Sequence, residues 1–142
     1  MIIQDFRGSF AQRMDCLEAL LRKEPSLVLV GSSFGGVMAA VFALNHPTRV
    51  KRLILLAPAL IVKEFSPHLP KRTEIPTRIV HGSRDDVVPV EPVRQIAQQV
   101  FKNLAFDIVE DDHFLTTTFP LMNWESLLRT NRVINSDLAE NP

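Results

Sequence analysis

Gly31, Ser33 and Gly35 form a Gly-x-Ser-x-Gly pattern, the arrangement in which a sharp strand-to-helix turn can hold a serine hydroxyl clear of a sheet. Glycines at such a turn let neighbouring backbones approach closely. A serine hydroxyl is a weak nucleophile, so acyl chemistry also requires a base within reach and a third group to orient that base. Downstream segments supply candidates. Asp85 follows the apolar run ending at His81, and His113 follows the run Ala105 to Val109. Asp86, Asp111 and Asp112 compete for the acid's role, because each is also a residue type that turns favour. The remaining histidines suit other duties. His81 ends a strand-like run as a packed, hydrogen-bonded residue, His46 stands where a helix terminus favours a cation, and His68 carries no signal.

The elements that must position these groups alternate between β-like and helical patterns, which points to an α/β fold. Ser9-Phe10-Ala11-Gln12 is a capping-box pattern, and Phe10, Met14, Leu17 and Leu21 recur at helical spacing, so a helix is expected from Phe10 to Lys23, before Pro25. Leu27-Val28-Leu29-Val30 reads as a strand buried on both faces, and Phe34 to Asn45 as a helix stopped before Pro47. Arg52 to Ala57 is the next buried strand, and Pro58 to Pro76 is the longest connection. Thr77 to His81 and Ala105 to Val109 are further strands, flanking a helical pattern at Val93, Ile96, Ala97, Val100 and Phe101. Leu121, Trp124, Leu127 and Leu128 suggest a last helix. The expected architecture is a three-layer α/β/α domain over residues 1–134 with a mostly parallel sheet of about five strands, and a frayed tail at 135–142. Asp85 and His113 each follow the C-terminal end of a strand, the edge where open α/β sheets bind ligands.

The chain resembles a small member of the α/β-hydrolase superfamily. Gly31 to Gly36 resembles the family's nucleophile elbow, and Arg52 to Pro58 the strand that follows it. His81-Gly82-Ser83-Arg84-Asp85-Asp86-Val87-Val88-Pro89 resembles its acid loop, and Asp112-His113-Phe114 its histidine loop. The order Ser33, Asp85, His113 is also the family's order. The resemblance implies that Ser33 is the nucleophile, Asp85 the acid, His113 the base and the Phe34 N–H an oxyanion donor. It further implies hydrolysis of a small carboxylic ester or thioester through an acyl-enzyme, with no metal or organic cofactor. Two departures stand out. Asp5-Phe6-Arg7-Gly8 resembles the segment after the family's fourth strand, so the first three strands have no counterpart and the fold is truncated, either as a natural miniature or as part of a longer hydrolase. With them goes the loop that supplies the second oxyanion donor, a loss that typically costs about 10²–10³ in rate. Asp112 stands where the family often has a small residue, placing a second carboxylate near the base.

Composition bounds the alternatives. At 142 residues, 46% hydrophobic and 23% charged, the chain has the size and apolar content of one globular domain. Sixteen Lys and Arg against 16 Asp and Glu leave no field to steer it onto nucleic acid or an anionic membrane, and near-neutrality favours self-association. The single Cys16 cannot form an intramolecular disulfide, no Cys/His spacing suits zinc, and a reducing cytoplasm is the expected setting. Cys16 itself is expected to be a small packing residue. The first eight residues do not form a secretory signal, and the uncharged run from Leu27 to Leu44 is interrupted by glycines that argue against a membrane span. Phe65 and Leu69 are candidates to line an acyl pocket or to anchor their own loop. The competing function is a non-catalytic interaction module. Without the front strands the first strand's edge lies open, so a homodimer or a partner protein is expected to cover it.

Overall fold

A computed structural model describes residues 1–129. The chain runs α1 (Phe10–Leu20), β1 (Leu27–Ser32), α2 (Phe34–Asn45), β2 (Val50–Leu56), a 3₁₀ helix (Lys63–His68), β3 (Thr77–Gly82), α3 (Val90–Val100), β4 (Leu104–Val109), a 3₁₀ turn (Phe119–Leu121) and α4 (Trp124–Leu128). Among the described residues the sheet has four strands, all parallel, in the order β1-β2-β3-β4, one fewer than the expected five. The segment before α1 forms no strand, and β1 pairs only with β2. The tail expected to fray at 135–142 lies outside the described residues.

Each strand places alternate side chains on opposite faces, and both faces are covered. Leu53, Leu55 and Ile79 pack with α1, α2, α3 and the first 3₁₀ helix in the larger core, which includes Leu17, Phe42, Val93, Ala97 and Phe65. Ile54, Leu56 and Val80 face the other way and meet Leu115, Met122, Trp124 and Leu127. The second layer is thinner than the sequence suggests, because Leu121 falls in the 3₁₀ turn and α4 spans five residues. α1 also ends early. It starts with the expected reciprocal cap between Ser9 and Gln12 and closes at Leu20 with Leu21 as its C-cap. The Arg49 guanidinium reaches across to the Leu21 and Glu24 carbonyls at that end, giving α1 a tertiary stop before Pro25.

No helix among the described residues is long and apolar enough to cross a membrane. The uncharged run from Leu27 to Leu44 divides into β1, a turn and the buried helix α2. Cys16 is exposed rather than packed. It neighbours Leu17 in sequence but points about 100° away from that residue's buried stripe. Phe65 is fully buried within the larger core, and Leu69 packs against it, so these residues anchor the 58–76 connection and leave no side chain of Phe65 free to line a pocket.

Candidate active site

Ser33 occupies the single residue between β1 and α2, with φ 53° and ψ −115°. That conformation is rare for a residue with a side chain, and it survives only where surroundings over-determine it. Here the Ser33 N–H donates to Leu56 O at 2.9 Å, while its carbonyl accepts from Gly36 N–H at 3.1 Å and Ala59 N–H at 3.0 Å. The glycines explain how the turn closes. A Cβ on Gly31 would lie 2.3 Å from the Gly35 carbonyl oxygen, and one on Gly36 would lie 2.8 Å from Pro58 Cβ. Gly35 differs, because a Cβ there would meet nothing within 4 Å. Close approach is therefore required at Gly31 and Gly36, not at the second glycine of the Gly-x-Ser-x-Gly pattern. The turn lifts the hydroxyl to the C-terminal edge of the sheet, next to the loops that follow β3 and β4.

His113 joins the three sequence candidates. Its Nδ1 lies 2.7 Å from Asp85 Oδ2 and its Nε2 3.1 Å from Ser33 Oγ. A carboxylate oxygen only accepts, so Nδ1 carries the proton and Nε2 presents a lone pair to the Ser33 hydroxyl. The Asp85 side chain is fully buried, and His113 is nearly so. Asp85 Oδ1 accepts the backbone N–H groups of Val87 at 2.9 Å and Val88 at 2.7 Å. Burial pushes this carboxyl up, but hydrogen bonds from the Val88 N–H, His113 and the Val87 N–H outweigh it and hold it below its ordinary value.

The rival carboxylates have other partners. Asp86 is exposed. Asp111 is buried, with Oδ1 accepting from Asp112 N–H at 2.8 Å and Oδ2 from the N–H groups of Thr117 at 3.0 Å and Thr118 at 2.7 Å. Burial raises the Asp111 carboxyl, and hydrogen bonds from Thr118, Asp112 and Thr117 bring it below its ordinary value. Asp112, the residue directly before the base, accepts from the Phe114 N–H at 3.0 Å and from the Thr116 hydroxyl. The role of Asp111 as organiser of the histidine loop is missed by sequence reasoning. Its only signal is the Asp-Asp-His run, which does not reveal which carboxylate turns inward.

The acid and histidine loops also lock together through backbone. Arg84 N–H donates to Asp111 O at 3.0 Å, and a Cβ on Gly82 would lie 2.4 Å from that same oxygen. Phe34, the first residue of α2, has an N–H with no acceptor inside the helix. Its ring packs edge-on against Phe10 at 5.7 Å, with the Arg13 guanidinium 5.2 Å from its centroid. His46 caps α2 and bonds both oxygens of Glu18 at 2.8 and 2.9 Å, tying α2 to α1 away from the site. A 330 Å³ cavity runs beside the unpaired edge of β1, lined by Phe6, Leu17, Leu29, Ser32, Gly35 and Met38 among others.

The family model described as the alpha/beta hydrolase fold matches residues 4–73. An alpha-beta serine hydrolase homologue from Coxiella burnetii is 26% identical and superposes with a TM-score of 0.68, covering 81% of this chain and 57% of that one. A predicted CIB-like hydrolase from Thermoplasma acidophilum is 25% identical with a TM-score of 0.66, over 96% of this chain and 62% of the other. A short segment of 34 residues is 53% identical to a probable 1-acylglycerol-3-phosphate O-acyltransferase of Oryza sativa subsp. japonica, covering 24% of this chain and 8% of that protein. The chain thus spans less than two thirds of the length of each of these three. It belongs to the α/β-hydrolase superfamily.

Proposed function

We propose that this chain is a serine hydrolase that cleaves a small carboxylic ester or thioester through an acyl-enzyme. The observation that carries this reading is the His113 imidazole bridging Asp85 Oδ2 and Ser33 Oγ at 2.7 and 3.1 Å. Ser33 Oγ attacks the carbonyl carbon as its proton passes to His113 Nε2. His113 returns that proton to the departing alcohol or thiol, then takes one from the water that releases the acid. Asp85 holds the imidazole and stabilises its charged form. The Phe34 N–H, without an acceptor inside α2, offers an oxyanion donor, and one such donor is typically worth about 10²–10³ in rate. The segment shared with a probable O-acyltransferase of rice is consistent with the same acyl-enzyme being discharged by an alcohol. The lone exposed Cys16 suits a reducing, cytoplasmic setting.

A fluorophosphonate probe tests the site without a guess at substrate. One adduct on Ser33, absent in Ser33→Ala and strongly slowed in His113→Ala and Asp85→Asn, is the expected result by intact mass and peptide mapping. Folded wild-type protein without an adduct would overturn the hydrolase reading.

A second reading, interaction through the sheet edge, is favoured by one feature of β1. Val30 is 45% exposed while its neighbour in register, Ile54, is fully buried, and among the described residues β1 has no strand on its other side. The proposed occupant is a second copy pairing antiparallel across a two-fold axis, which would satisfy both edges and join the sheets. Light scattering should give a dimer mass that falls to a monomer in Val30→Lys. A wild-type monomer at high concentration rejects it.

A further inference from the structure

His81 ends β3 with its ring fully buried, 6.3 Å from Phe106 and nearly parallel to it at 12°. Its Nε2 lies 2.8 Å from Val88 O and 3.2 Å from Asp85 Oδ2, while Nδ1 is buried with no partner. Both nearby oxygens are acceptors, so the ring proton belongs on Nε2 and Nδ1 is left as a bare lone pair. An unsatisfied buried acceptor is a cost that a phenylalanine stacked on Phe106 would avoid. Packing therefore does not account for an imidazole here. What the imidazole adds is an N–H directed at Val88 O, with Asp85 Oδ2 beside its path.

Both of those groups belong to the proposed site. The Val88 peptide whose carbonyl His81 holds is the one whose N–H bonds Asp85 Oδ1 at 2.7 Å. Asp85 Oδ2 is the oxygen that orients His113. We propose that His81 is a positioning residue of the active site, holding the Val88 peptide against Asp85 and drawing negative charge from the oxygen that His113 uses. Without its proton, Val88 O and Asp85 Oδ2 face each other uncompensated. The other charged groups nearby do not fill that place. Asp111 is engaged by the amides of Asp112, Thr117 and Thr118, Asp112 by Phe114 and Thr116, and Arg84 and Asp86 are exposed.

The inference rests on the hydrolase reading, and a pair of substitutions isolates it. The Gln side-chain amide reaches the position of a histidine Nε2, whereas that of Asn stops near Nδ1. In His81→Asn the Asp85–His113 pair should take up its proton at higher pH. The acidic limb of the fluorophosphonate labelling profile then moves up by about half a pH unit or more, with labelling at pH 6 slowed about threefold. His81→Gln should restore the wild-type profile. A merely structural role would slow labelling at every pH without moving the limb, and that outcome overturns the proposal. Histidine ¹⁵N NMR of the wild-type protein supplies an independent reading that needs no activity and no variant. His81 should be protonated on Nε2 and not on Nδ1, and finding the proton on Nδ1 overturns the proposal even if both variants fail to fold. Absence of wild-type labelling with the Nε2 proton in place would reject the hydrolase reading while supporting this placement of His81.

Discussion

Replacing Ser33 by glycine should make this protein more stable than replacing it by alanine, the reverse of what the two residues do almost everywhere else. Both substitutions remove the hydroxyl and its 3.1 Å contact with His113, so their difference reports the backbone alone. In an ordinary position glycine is worse than alanine by about 0.5–1 kcal/mol, because it loses more freedom on folding. At φ 53° and ψ −115° the alanine retains the strain of a side chain in a sparsely populated region, about 1–3 kcal/mol, and glycine does not. The net expectation is about 1 kcal/mol in favour of glycine, or about 4 °C in Tm for a domain of this size. Urea and thermal denaturation of the two variants side by side measure it, and neither should label with a fluorophosphonate. An alanine variant more stable than the glycine variant by the ordinary difference of about 0.5–1 kcal/mol would mean that the elbow is not strained, and the argument that it is held open for chemistry would fail.

The glycines around the elbow should divide in the same assay. Gly36→Ala brings a Cβ to 2.8 Å from the Pro58 ring and should cost about 1–3 kcal/mol, whereas Gly35→Ala enters open space in a helix and should gain up to about 1 kcal/mol. Acid should weaken the fold from a definite point. Asp85 and Asp111 both titrate below their ordinary values, so the stability they contribute is complete above the unfolded carboxyl value, about 3.9, and is lost as pH falls through the lower folded values. The part of the urea midpoint that these carboxylates supply should be intact at about pH 5 and drop below about pH 4, with a shallower drop in Asp111→Asn. An equal slope in that variant would remove Asp111 from the account.

The order of elements was legible in the sequence because the central strands carry short apolar runs, α1 a cap, α3 a 3.6-residue stripe, and α2 an apolar stretch stopped before Pro47. Leu27 to Val30 and the apolar stretch within Arg52 to Ala57 read as strands for that reason, and the Ser9 cap located the start of α1 to the residue. The local chemistry of the elbow was legible too, since a strand, a serine with a glycine two residues to either side and a helix lie within one short stretch. Other features depend on contacts distant in sequence. Arg49 and Leu21, 28 residues apart, meet at the end of α1. Gly36 is needed because Pro58 packs against it, while Gly35, part of the more familiar pattern, meets nothing. Four aspartates in two loops are equivalent as letters. Only the folded loops turn Asp85 toward His113, Asp111 toward the Thr117 and Thr118 amides, and Asp86 toward solvent. A sequence determines which stretches must be buried, because apolar periodicity is local. Which polar group meets which across 28 or 80 residues is settled by the parallel sheet, which brings the ends of β1, β3 and β4 to one edge.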